Sequence, residues 1–271
     1  MCILKYLLFC CVICISCSHA SLHQKQLMHA LDFSAANSKE LEKVLKHYEH
    51  DSLKLEAAKF LIRNMPHCYS YQQGGEMDSV KRVRTYYSPF GQIDQTYARR
   101  WGHYTYRNLL KIYDAHIITA EYLIDNIDRA FDNWQKRPWN RSLSFEDFCE
   151  YLLPYRIGDE PLEEWRELYE KKYGYLLDSI YKGSDVVEAA NLVSRHLQEP
   201  VFIYCEDFEL PHIGPRYLFS HRYGSCVDAA DIVTYAFRAV GIPCMEDTDA
   251  RGGHVWNVVR DTTGRDVPIW Y

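Results

Sequence analysis

Beyond its first twenty residues the 271-residue sequence has no cysteine pair at CxxC spacing. That excludes a zinc ribbon built from closely spaced ligand pairs. Positive charge is not in excess either: 31 Lys and Arg stand against 37 Asp and Glu, for a net charge of −6. Nothing in that balance marks a nucleic-acid partner. No internal repeat is visible. The longest opening apolar run, Tyr6 to Ile15, has ten residues, too few to cross a bilayer.

That run has instead the length of a signal-peptide core, following a single Lys5. It leads into Cys14-Ile15-Ser16-Cys17-Ser18. A small residue before a cysteine is similar to a bacterial lipobox, with Cys14 where leucine is usual, so Cys17 is the candidate lipidation site. The alternative is an ordinary secretory signal cleaved nearby. The expectation is an exported protein, held at the cell envelope through a lipid anchor only, or otherwise periplasmic or secreted. Of ten cysteines, Cys2, Cys10, Cys11, Cys14 and Cys17 fall in this segment. Cys68, Cys149, Cys205, Cys226 and Cys244 remain, an odd number that leaves at least one thiol unpaired.

The expected domains are a signal segment at 1–20, a helical region at 21–199 and a compact module at 200–271. Residues 21–35 have no strong period and read as a tether. Leu41, Val44, Leu45 and Tyr48 recur at helical spacing after Ser38, and a second helix is expected from Asp51 to Asn64. Residues 70–96, with a Gly pair and Ser88-Pro89, read as a long loop. Further helices are expected over 117–134, after the Ser144 box, over 162–177 and over 186–197. Past Pro200 the pattern turns to short strands (201–204, 242–246, 254–261, 266–269) around one helix over 226–240. The fold class is therefore α+β.

Cys226 opens that helix. Ser225 is a good N-cap, and Asp228 is placed as a capping-box acid. Gly241 suits the position after the helix, and Pro243 keeps it from resuming. A helix start favours a thiolate, because its N–H groups and macrodipole are positive there. Asp228 and Asp231 act mildly against this. His254 follows Cys226 by 28 residues, after Gly252-Gly253, room for one helix, a connection and a strand start. Such a pair is the requirement for thiol acyl chemistry.

Gly224-Ser225-Cys226, Arg238-Ala239-Val240-Gly241-Ile242-Pro243 and Gly253-His254-Val255-Trp256-Asn257 together resemble the transglutaminase-like superfamily in order and spacing. Residues 145–156 are also similar to bacterial lipoproteins that carry this domain. The resemblance implies a papain-like core, with Cys226 as nucleophile and His254 as base of a Cys-His-Asp triad. It implies amide or peptide hydrolysis or acyl transfer on a peptide or protein substrate, with no cofactor.

The third member of that triad has no clear place in the sequence. A hairpin turn at Asp261–Asp266 would put the residue facing His254 near position 273, and alignment on Val267-Pro268 puts Trp270 where the acid is expected. Asp266, the weak candidate, lies roughly 20 Å along the hairpin at about 3.3 Å per residue. The expectation is a chain truncated relative to the family, or a branch with a changed third residue. Against the enzyme stands an inactive binding module on the same scaffold. A glycan-handling accessory protein is a third option, on an aromatic content of 14%. Zinc on Cys226, Cys244 and His254 is a fourth. His221 reads as a loop residue, Trp256 and Trp270 as core, and Cys149, Cys205 and Cys244 as structural.

Overall fold

The computed structural model describes residues 22–83, 106–199, 201–204 and 210–270. Cys17, the signal segment and Cys205 lie outside them. No helix among the described residues is long and apolar enough to cross a membrane. The chain forms two compact units, one from residues up to Cys68 with Tyr113–Ala120, the other from Tyr69–Ile112 with Glu121–Tyr271.

The smaller unit holds α1 (22–33), α2 (Ser38–His47) and α3 (Ser52–Asn64). The expected tether is thus a helix. Its buried stripe is short, Leu27, Ala30 and then Ser34, which hides the period. Leu41, Val44, Ala57 and Ile62 complete its core with Ala115 and Ile118. Asn37 donates to the carbonyls of Ala115 (3.0 Å) and Ile118 (2.9 Å), tying the two chain segments of this unit together. Asp51 caps α3 by accepting from the Lys54 N–H.

In the larger unit β1 (Tyr69–Tyr71) pairs with β2 (Lys111–Tyr113), and α4 (Glu76–Val83) lies between them in sequence. The loop expected over 70–96 therefore contains a helix, with Met77 and Val80 buried; residues 84–96 lie outside the described ones. In an eight-residue helix this stripe is too short to show a period. Next come α5 (Ala120–Lys136), α6 (Phe145–Tyr151), α7 (Arg166–Tyr175, extended by one π turn at Leu176–Ile180) and α8 (Val186–Leu197). Ser144 caps α6 as its sequence predicts, accepting from the Asp147 N–H at 3.0 Å.

Beyond residue 200 lie β3 (Ile203–Tyr204), α9 (Pro215–Ser220), β4 (Tyr223–Gly224), α10 (Cys226–Ala239), β5 (Cys244–Thr248), β6 (Val255–Arg260) and β7 (Asp266–Ile269). β3 and β4 pair in parallel, while β5-β6-β7 form an antiparallel sheet. The protein is α+β, as expected. One core joins both sides of residue 200: Trp139, Tyr169 and Val193 pack with Phe237, Ile242 and Val259.

α10 is the central element, with every residue from Ala230 to Ala239 buried. Its C-terminal carbonyls are held by five side chains. Arg166 donates to Arg238 O (3.2 Å), Asn133 to Ala239 O (3.1 Å) and Arg137 Nε to Val240 O (2.7 Å). Trp139 and Asn140 both donate to Gly241 O at 2.9 Å. These acceptors have no partner inside the helix, so buried donors are required, and two of them are cations that suit the negative helix end. Gly241 has φ +82°, and a Cβ there would lie 2.8 Å from Asn133 O. Only glycine fits that corner.

Candidate active site

Cys226 is the first residue of α10, and the capping box expected from the sequence is present. The Ser225 N–H donates to Asp228 Oδ2 at 2.8 Å. Gly224 has a physical reason to be glycine: a Cβ would sit 2.3 Å from that same Asp228 oxygen. The cap thus explains the Gly-Ser-Cys order. The two acids expected to disfavour a thiolate both have partners of their own. Asp228 is engaged at the cap. Asp231, fully buried, bonds His212.

His254 precedes β6 and ends a loop organised by Asp249, which sequence reasoning missed. The Asp249 carboxylate accepts from Arg251 N (3.0 Å) and Gly253 N (2.8 Å), and its own N–H donates to His254 O (3.2 Å). Gly252 supplies the left-handed corner, φ +67°. An Asp three and four residues before a Gly pair is the signal that could have found this turn. Asn257, 1% exposed, then ties β6 to α10 by donating to Ala230 O (3.0 Å) and Thr234 Oγ1 (2.8 Å).

These elements bring Cys226 and His254 to the wall of one cleft of about 610 Å³. Ala229 and Ala230 continue the α10 side, and Arg195 and Glu199 mark the end of α8. Val201, Tyr204, Trp256 and Trp270 form an apolar rim. Cys226 is half-buried and His254 exposed.

The register of the hairpin does not bring an acid of β7 to His254. Asn257 pairs with Ile269 and Arg260 with Asp266, so β7 ends opposite Asn257, short of His254. Asp266 accepts from Tyr151 Oη (3.0 Å) and neighbours Arg260 (3.4 Å); it does not line the cleft. The neighbour His254 has is Trp270, whose ring lies 6.0 Å away and 13° from parallel. Trp256 is also at 6.0 Å, tilted by 32°. Both tryptophans were expected in the core. They lie at the cleft, Trp270 with 64% of its surface exposed. Ser194 Oγ fixes Trp270 by donating to its carbonyl at 3.0 Å.

The other sequence candidates fall elsewhere. His221 Nδ1 donates to Tyr217 O at 3.2 Å and its ring stacks on that of Tyr217, outside the cleft. Cys244 is fully buried beside Thr234 and Asn257, and burial pushes its thiol up to about 12. Cys149 is buried too, while Cys68 is half-buried like Cys226. Among the described residues no group of His, Cys, Asp and Glu could hold a metal ion.

A second polar cluster lies on another face of α10. His212 Nδ1 is 2.9 Å from both Asp231 oxygens, and its N–H donates to Asp159 at 2.9 Å. Burial alone would lower its pKa; the Asp231 charge outweighs that and carries it up to about 11. Burial and then the Asp231 charge push Glu246 well above the carboxylate range. The neutral acid this leaves is suited to donate to Asp231. The sequence holds no local signal for this pair, 19 residues apart.

Comparison of the chain with family models, with curated proteins and with solved structures returned no match.

Proposed function

We propose that this protein is a transglutaminase-like thiol amidase or acyltransferase acting on peptide or protein amides, with Cys226 as nucleophile and His254 as base. The observation that carries the reading is the shared cleft: a capped helix start and a strand start, far apart in sequence, put a thiol and an imidazole on one wall. The antiparallel sheet packed on that helix is in keeping with the family resemblance.

In the proposed reaction Cys226 Sγ bonds to the carbonyl carbon while His254 takes the thiol proton. The carbonyl π pair moves onto oxygen. The N–H groups at the start of α10 have no intrahelical acceptor and suit that oxyanion. Collapse breaks the C–N bond, and His254 returns the proton to the leaving amine. Water or a second amine then resolves the thioester. Export and an acyl chain on Cys17 belong to the same proposal; a fatty-acid label lost in Cys17→Ala would support the anchor.

The test is alkylation by iodoacetamide, followed residue by residue. Cys68 is the informative control, because it is half-buried like Cys226, whereas Cys149 and Cys244 are shielded. Cys226 should react much faster than Cys68, and His254→Ala should remove most of the difference. Equal rates at the two thiols would sink the reading. A second reading, a binding module without catalysis, is favoured by the neighbour His254 has in Trp270, an aromatic ring and not a carboxylate. Rapid labelling with no turnover of any amide library would select it.

A further inference from the structure

Building on the reading of Cys226 as nucleophile, we propose that the group presented to it carries an aromatic side chain, received by the rim of Trp270, Tyr204 and Val201. Among the described residues ten large hydrophobic side chains are exposed, and three of them line this one cleft: Val201 at 77%, Trp270 at 64% and Tyr204 at 49%. Single exposed apolar residues need no explanation; a cluster around a cavity beside a nucleophile marks a binding surface.

Trp270 is not exposed for want of anchoring. Its carbonyl is held by Ser194 and its ring is aligned with the His254 ring. An aromatic face is thus presented to solvent in a fixed orientation next to the imidazole. On the α10 side the residues one turn beyond Cys226 are Ala229 and Ala230, which leave space for a flat ring instead of filling it. The charged groups, Arg195 and Glu199, come from the end of α8, so the cleft has a polar and an apolar side. Offset stacking on Trp270 and burial against Val201 would both favour an arene over an alkyl chain of equal length.

The experiment compares two neutral alkylating agents, iodoacetamide and N-(2-phenylethyl)iodoacetamide, on the full chain. In both the sulfur displaces iodide, which leaves with its bonding pair, so the reactivity of the thiol cancels in the ratio of rates. The aromatic agent should react about tenfold faster at Cys226, with saturation, and without advantage at Cys68. Trp270→Ala and Val201→Ser should each bring the ratio at Cys226 toward one. A wild-type ratio near one, or a ratio unchanged in both variants, overturns the proposal. So does protection of Cys226 by soluble oligosaccharides and not by phenylalanine amides, which would make the rim a sugar platform. If Cys226 is no faster than Cys68 with iodoacetamide yet keeps a high ratio, the nucleophile reading fails and the aromatic rim stands.

Discussion

Two histidines of the larger unit are held in opposite ways. His212 has what a catalytic imidazole is usually given: a buried carboxylate, Asp231, at 2.9 Å on Nδ1. Its other nitrogen is closed off, since a Cβ on Gly158 would lie 2.3 Å from Nε2. Among the described residues His254 has no carboxylate in register; it stands exposed beside two tryptophans and shares a cleft with a thiol. An acid–imidazole pair is therefore no mark of a site by itself; access and a nucleophile are. His212 is a structural cation, and His254 is the candidate for chemistry.

The sharpest way to break that contrast is to remove each ring in turn. His212→Ala leaves Asp231 buried without its counter-charge and should cost about 3 kcal/mol in urea unfolding. His254→Ala removes an exposed ring and should stay within about 0.5 kcal/mol. Equal losses would erase the distinction.

The labelling rate should rank them the other way. His254→Ala should slow iodoacetamide at Cys226 about tenfold near neutral pH, and His212→Ala, measured where it is folded, should leave the rate within about twofold of wild type.

The pH dependence sharpens the same point. His212 is raised on folding from an ordinary imidazole value, about 6.5, to about 11. Its contribution is fully present below about 6.5 and is lost as pH rises toward about 11. The urea midpoint of the wild type should fall across that window, less steeply in His212→Ala; parallel curves would count against the ion pair.

The smallest expected effect is at the cap. Gly224→Ala would push the Asp228 carboxylate off the Ser225 N–H and should cost about 1 kcal/mol, with slower Cys226 labelling. Circular dichroism melts and labelling of the same sample would check both.

Most of the chemistry-bearing segment was legible because its signals are local. Ser225, Asp228, Gly241 and Pro243 sit within a turn of the helix ends they define, and helix α10 begins and ends where they place it. The hairpin register was one residue from that expected, since Asp261 and Arg265 close the turn themselves. What escaped depends on contacts distant in the chain. Residues 22–33 and Glu76–Val83 are short helices whose described buried side chains are Leu27 and Ala30 in one and Met77 and Val80 in the other. Trp256 and Trp270 look like core residues by type, and only the position of the cleft brings them to the surface. His212 and Asp231 meet through the wrapping of residues 210–214 over α10, which no spacing encodes.

The five donors at the far end of α10 have a mechanical consequence. A helix clamped at its C-terminus and capped by its own acid at the other behaves as a beam fixed at one end. Amide hydrogen exchange should then be slowest around Val233–Ala239 and quicken toward Val227, a gradient along a single helix. The thiol sits at the end of that gradient where exchange should be fastest, so the backbone that carries it is the part of α10 easiest to open.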